Sequence, residues 1–176
     1  MKYISTRGRS EAISVSRAII KGIAEDRGLY VPEEIPQLSL DWAEMAKLGY
    51  TEVVQRVLAP YLPEFTAEEL ADCVGKAYGG TFAHEQVAPL VGAGGVHFLE
   101  LFHGRTAAFK DMALSLLPYL LTASVQKEKE DKKIAILTAT SGDTGIAALK
   151  GCEDVPGTEV FVFLPDEGVS PLQKQQ

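Results

Sequence analysis

Apolar residues recur at helical spacing through most of the first half of the chain. Val15, Ala18, Ile19, Ile20 and Ile23 form a stripe that predicts a helix over residues 14–24. Residues 29–31 form a short extended run that Pro32 stops. Asp41 is placed to cap a helix carrying Trp42, Met45 and Ala46. Helical spacing resumes over residues 51–58 and is broken by Pro60 and Pro63. Thr66 followed three residues later by Glu69 is a capping-box pattern, opening a helix that runs to about Tyr78.

The character of the chain changes near residues 88–96. Residues 87–95 hold Pro89 and three glycines, which predicts a loop or linker. Beyond it the pattern alternates. Residues 96–102 are apolar and extended, and residues 111–125 form an apolar helical run in which Pro118 marks either a kink or the first turn. Residues 134–138 are a buried-strand candidate, 144–150 a helix and 159–164 another strand. Strand, helix, strand, helix, strand predicts an α/β domain whose sheet is mostly parallel, with crossover helices. Two domains are expected, residues 1–90 and residues 91–176. Residues 126–133, nearly all charged and of mixed sign, are expected to be a solvated helix end and loop. Ser170-Pro171 resembles a helix start, a cap followed by a first-turn proline, yet only residues 172–176 follow it and no stop signal closes them. A chain that stops while opening a helix is expected to be an interrupted one, its sheet domain incomplete.

Composition narrows the function classes. Hydrophobic residues make up 46% and charged residues 23% of the 176, values usual for a chain that packs a core. The net charge of −7 argues against a nucleic-acid partner, which needs a surplus of Lys and Arg, but leaves room for one local positive pocket. Cys73 and Cys152 are far apart and lack a C-x-x-C spacing, so a disulfide scaffold is not expected and a reduced, cytoplasmic setting fits. His84, His97 and His103 are not spaced as ligand pairs on a helix face, so no metal site is expected. Residues 1–10 lack an apolar signal core and no uninterrupted apolar run could span a bilayer, so no membrane partner is expected.

Two clusters carry candidate chemistry. In the first, Lys110 lies in Phe102-His103-Gly104-Arg105-Thr106-Ala107-Ala108-Phe109-Lys110-Asp111, between an expected strand and an apolar helix. A lysine at the mouth of an apolar element can supply a neutral amine, the species that attacks an aldehyde to form a Schiff base. The plain alternative is a surface Lys–Asp pair at a helix start. The second is Leu137-Thr138-Ala139-Thr140-Ser141-Gly142-Asp143-Thr144-Gly145, between a strand and a helix. Small residues, hydroxyls and the N–H groups of a helix start suit an anion, with Thr140 or Ser141 free to cap the helix. An ordinary strand-to-helix turn uses the same residues. Neither the G-x-x-x-x-G-K-[ST] nor the G-x-G-x-x-G nucleotide pattern is present. Together, a possible Schiff-base lysine and an anion-binding turn at the carboxyl ends of strands are what an amino-acid substrate requires.

The order and identity of these motifs resemble the threonine synthase family. Leu99-Glu100-Leu101-Phe102-His103-Gly104 followed by Ala108-Phe109-Lys110-Asp111 is similar to its cofactor-lysine motif, and Thr140-Ser141-Gly142-Asp143-Thr144-Gly145 to its substrate turn. Tyr3-Ile4-Ser5-Thr6-Arg7-Gly8 and Gly28-Leu29-Tyr30-Val31-Pro32 resemble its amino-terminal domain, and Val169-Ser170-Pro171-Leu172-Gln173 also matches. The resemblance implies a tryptophan-synthase-β-like fold, a helical N-terminal domain before the incomplete sheet domain, and pyridoxal 5'-phosphate as cofactor. It implies a lyase of threonine biosynthesis that converts O-phospho-L-homoserine and water to L-threonine and phosphate. Lys110 would hold the cofactor as an imine, Asp143 would lie near its ring oxygen, and Thr140, Ser141, Gly142, Asp143 and Thr144 would hold the substrate carboxylate. Three departures accompany it. Arg105 stands where a proline is expected after Gly104, Arg27 where glycine is frequent, and the glycine-rich loop that cradles the cofactor phosphate is not found in this sequence. The chain alone is therefore expected to be an inactive fragment. The competing expectations are a related pyridoxal-phosphate dehydratase or cysteine synthase, and a catalytically silent module that self-associates through its unfinished sheet.

Overall fold

The computed structural model describes residues 1–131, 133–140, 142–171 and 175. Its elements run, in order, β1 (Tyr3–Ser5), α1 (Val15–Lys21), β2 (Tyr30–Pro32), α2 (Trp42–Met45), α3 (Tyr50–Leu58), a 3-10 turn (Ala59–Tyr61), α4 (Ala67–Tyr78), β3 (Leu90–Ala93), β4 (Val96–Leu99), α5 (Asp111–Leu114), α6 (Leu117–Glu128), β5 (Ile134–Ala139), α7 (Asp143–Cys152) and β6 (Thr158–Phe163). The mixed α/β class expected from the sequence is present. The chain forms two compact units, neither of them one continuous segment: residues 1–74 with 120–131, and residues 75–119 with 132–176.

In the first unit the helix starts follow their caps. Ser14 Oγ accepts from the Arg17 N–H at 3.2 Å, and Asp41 from the Ala43 N–H at 2.9 Å. The Thr66–Glu69 box is reciprocal: Glu69 accepts from the Thr66 N–H at 2.8 Å and Thr66 Oγ1 from the Glu69 N–H at 3.2 Å. Pro60 sits in the 3-10 turn that follows α3, where its missing N–H is harmless. β1 and β2 pair antiparallel, Tyr3 opposite Pro32. The Glu64 carboxylate closes the start of α1, accepting from the Val15 and Ser16 N–H groups at 3.2 and 3.1 Å and from Ser16 Oγ at 2.6 Å. Val15, Leu70, Val74 and Leu121 are among the buried core. The charged stretch after residue 125 is more structured than expected. Lys127 pairs with Glu69 at 2.5 Å and lies over the Phe65 ring, and Glu128 takes Arg17 at 2.8 Å. Helix α6 continues to Glu128 because these partners hold its last turn.

The second unit carries both candidate clusters. Here the loop expected over residues 87–95 is corrected: Leu90–Ala93 is a strand, paired antiparallel with Val96–Leu99 through a turn at Gly94 and Gly95. Both glycines have positive φ, 58° and 80°, as a two-residue hairpin turn demands. The segment expected to join a parallel sheet, residues 96–102, is therefore a hairpin arm that ends at Leu99. The expected long helix over residues 111–125 is two helices, with Pro118 in the first turn of α6. β5 and β6 pair parallel, Ile134 opposite Thr158 and Ala139 opposite Phe163, with α7 as the crossover. One face of this pair is half-buried; on the other, Leu137, Phe161 and Phe163 are exposed, so β5 is not the buried strand expected. The helix expected after Ser170-Pro171 falls mostly on residues 172–174 and 176, which lie outside the described residues.

Candidate functional site

The segment before α5 is held by its own hydrogen bonds. The Ala107 N–H donates to the Gly104 carbonyl at 3.2 Å and the Asp111 N–H to the Ala108 carbonyl at 3.0 Å. Ala107 has φ of 57°, a left-handed conformation that an L-residue adopts only when its surroundings impose it. Upstream, the His103 carbonyl accepts from the Ala83 N–H at 2.9 Å, and His103 Nε2 lies 2.7 Å from Glu100 Oε2. Lys110 is the N-cap of α5; its carbonyl accepts from Ala113 and Leu114 at 3.1 and 2.9 Å, which fixes its backbone. Its half-buried side chain carries Nζ 4.5 Å from the centre of the exposed Phe109 ring.

Asp111 does not form the surface pair with Lys110 that its position suggests. It is 3% exposed, and its carboxylate turns back to Thr106, accepting from Oγ1 at 2.7 Å and from the N–H at 2.8 Å. Gly104 makes room for it: a Cβ there would lie 2.8 Å from Asp111 Cγ and nearer still to its Cβ. Arg105 reaches the end of α7, donating to the Lys150 carbonyl at 3.1 Å and lying 3.5 Å from Glu153. A cation at a helix C-terminus is favourable there, since the last carbonyls carry partial negative charge.

The second cluster lies at the carboxyl end of β5. The Thr140 N–H donates to the Phe163 carbonyl at 3.0 Å, continuing the sheet. Thr140 Oγ1 lies 3.1 Å from the Gly142 N–H, which donates to it, and 3.2 Å from the Gly142 carbonyl. Gly142, rather than Thr140, is the N-cap of α7, and among the described residues no side chain closes that helix start. The Thr140 hydroxyl, one of the two expected to cap the helix, instead folds the turn. Asp143 is exposed in the first turn, where the helix dipole favours an acid, and Thr144 is half-buried beside it. Ser141 lies outside the described residues.

The structure places these clusters in one unit, where α5, which begins directly after Lys110, packs against α7. Among the described residues no hydrogen bond or ion pair joins Lys110 to the turn at 140–144. Sequence reasoning missed the Thr106–Asp111 bond, whose signal is a Thr five residues before a helix-opening Asp. It named Gly145 within the turn but missed its packing role: a Cβ there would come within 2.8 Å of Val162 Cγ1. Among the described residues no group of His, Cys, Asp or Glu is arranged to hold a metal, and no helix is long and apolar enough to cross a membrane.

Comparison with known proteins follows the same residues. A family model described as the threonine synthase N terminus matches residues 2–78. Threonine synthase of Schizosaccharomyces pombe is 40% identical over all of this chain and 36% of its own length; that of Pseudomonas aeruginosa is 41% identical over all of this chain and 38% of its own. Among solved structures, the PLP-bound threonine synthase of Brucella melitensis superposes with a TM-score of 0.87 at 39% identity, covering 99% of this chain and 38% of that one. The yeast enzyme superposes with a TM-score of 0.86 at 37% identity, covering 99% and 37%. The chain thus spans little more than a third of the length of the relatives it matches, and the match extends across both units and both clusters. Residues 2–78 match the threonine synthase amino-terminal model, and the chain as a whole is similar to the amino-terminal part of threonine synthases.

Proposed function

We propose that this chain contributes the cofactor lysine and the substrate-carboxylate turn of a threonine synthase, which converts O-phospho-L-homoserine and water to L-threonine and phosphate. The observation that carries the reading is Lys110 itself: an amine on a fixed helix-entry backbone, with no ion pair to it among the described residues. The solved relative described as PLP-bound supports pyridoxal 5'-phosphate as the group Lys110 would hold. The residues fit that group in part. Lys110 supplies the amine and Asp143 an exposed carboxylate, while the sequence shows no glycine-rich cradle for the phosphate.

When bound, the cofactor supplies an electron sink that stabilises negative charge at the substrate's Cα and Cβ. The chain's own part is to hold and steer. Lys110 would move protons at Cα and Cβ. Thr140, Ser141, Gly142, Asp143 and Thr144 would orient the substrate carboxylate, with the start of α7, which no side chain caps among the described residues, offering backbone N–H groups to an anion. In this reading residues 1–90 form the family's amino-terminal domain, which the match over residues 2–78 supports, and residues 91–176 begin its cofactor-binding domain. Cys73 and Cys152, which form no disulfide among the described residues, suit a cytoplasmic setting.

We further propose that the 176-residue chain alone does not turn over the substrate. A preorganised site needs its groups held within about 0.5 Å, and these residues supply only part of the pocket. The exposed Leu137, Phe161 and Phe163 on the β5–β6 face favour self-association of the chain as it stands. Titration with pyridoxal phosphate tests the reading. The absorbance change of a lysine adduct, lost in Lys110→Ala, supports it; an unchanged spectrum, or a change that persists in Lys110→Ala, overturns it.

A further inference from the structure

Between Gly104 and Asp111 a buried carboxylate and a hydroxyl close a loop onto itself. A carboxylate that is 3% exposed is tolerated only when its oxygens are hydrogen-bonded. Asp111 meets this need through one residue, Thr106: Oδ1 takes the hydroxyl at 2.7 Å and Oδ2 the N–H at 2.8 Å. Bonds from a neutral donor to a charged acceptor are stronger than neutral pairs. Thr106 Oγ1, having donated its proton, accepts from the Ala108 N–H at 3.3 Å. The bond thus ties the first half of the loop to the residue next to Lys110, across the left-handed Ala107.

We infer that Asp111, held by Thr106, is a positioning residue for Lys110, keeping its own carboxylate turned away so that the neighbouring amine stays unpaired and presented to a ligand. The inference rests on the reading of Lys110 as the cofactor lysine. A buried Asp whose oxygens lack other partners can draw a neighbouring amine into an ion pair. Here both Asp111 oxygens are engaged by Thr106, and among the described residues no ion pair reaches Lys110. Gly104 belongs to the same device, because a side chain there would collide with Asp111.

The test uses the full chain without cofactor. Limiting acetic anhydride labels lysines, and mass spectrometry reads the ratio of acetylation at Lys110 to that at Lys150. Thr106→Val removes both functions of the hydroxyl and leaves one Asp111 oxygen free to pair with Lys110. The ratio should fall about fivefold, the equivalent of one hydrogen bond redirected. Thr106→Ser, which keeps the hydroxyl, should restore it. Thr106→Ala supplies the same loss should the valine variant fail to fold. A ratio unchanged in Thr106→Val or Thr106→Ala, or as low in Thr106→Ser, overturns the inference. Failure of the cofactor reading is separate: it appears as absence of a pyridoxyl label on Lys110 in the wild-type chain, whatever the acetylation ratio.

Discussion

Gly145 lies so close to Thr140 that a Cβ at residue 145 would overlap the threonine methyl group. The same Cβ would come within 2.8 Å of Val162 Cγ1. The first turn of α7 is therefore seated directly on β6 and on the turn proposed to hold the substrate carboxylate. Close approach of helix to strand is what positions Thr140, and it requires glycine.

Gly145→Ala should accordingly destabilise the chain by about 1–3 kcal/mol, the usual penalty for forcing a methyl into a packed contact. Urea unfolding measures it. A midpoint equal to that of the wild type would show that the turn yields freely and that Thr140 is not fixed by packing.

Arg27 is exposed and has φ of 65°, with its N–H donating to the Ala24 carbonyl at 2.8 Å. A left-handed conformation costs a residue with a Cβ about 1–2 kcal/mol, and glycine adopts it readily. Arg27→Gly should raise stability by about 1 kcal/mol, seen as a higher urea midpoint. A lower midpoint would mean that the arginine side chain makes a larger contribution than its backbone strain removes.

Asp26 should govern part of the acid limb of stability. The Ser5 hydroxyl, at 2.6 Å, holds its carboxyl down to about 2, helped by the Gly28 and Arg9 N–H groups and by Ser10. Because the folded value lies below the ordinary carboxylate value of about 3.9, its contribution is complete above that pH and is lost as pH falls toward 2. Ser5→Ala should move the Asp26 midpoint upward in an NMR titration. Asp26→Asn should weaken the fall in urea midpoint between about pH 4 and pH 2. An Asp26 midpoint unmoved by Ser5→Ala would assign the depression to Gly28, Arg9 and Ser10 instead.

The sequence revealed those features whose physics is local. Ser14, Asp41 and the Thr66–Glu69 pair act within three residues of themselves, and each caps the helix expected. Pro118 allowed only a kink or a first turn, and it occupies the first turn. The hairpin at 90–99 was hidden because Pro89 and three glycines suggested a loop, while its strands lack the alternation of a one-sided sheet: both faces are exposed. The two-glycine turn was the signal available. At the candidate site the lysine and the small-residue turn stood out by residue type. What Asp111 bonds to did not, because its choice between Lys110 and Thr106 depends on a left-handed Ala107 that no residue preference announces. Arg105 and Arg27 stood out as departures from the family pattern. Their partners, the end of α7 and a strained backbone, belong to the fold.

The central claim is that Lys110 is the lysine that carries pyridoxal phosphate, and borohydride reduction tests it most directly. The chain is incubated with pyridoxal phosphate, reduced, digested and mapped by mass spectrometry. The account predicts a pyridoxyl mass on the peptide containing Phe109-Lys110-Asp111, saturating at lower cofactor concentration than any other site and absent in Lys110→Ala. Labelling that favours Lys150, Lys133 or another lysine, with Lys110 unmodified, would contradict it.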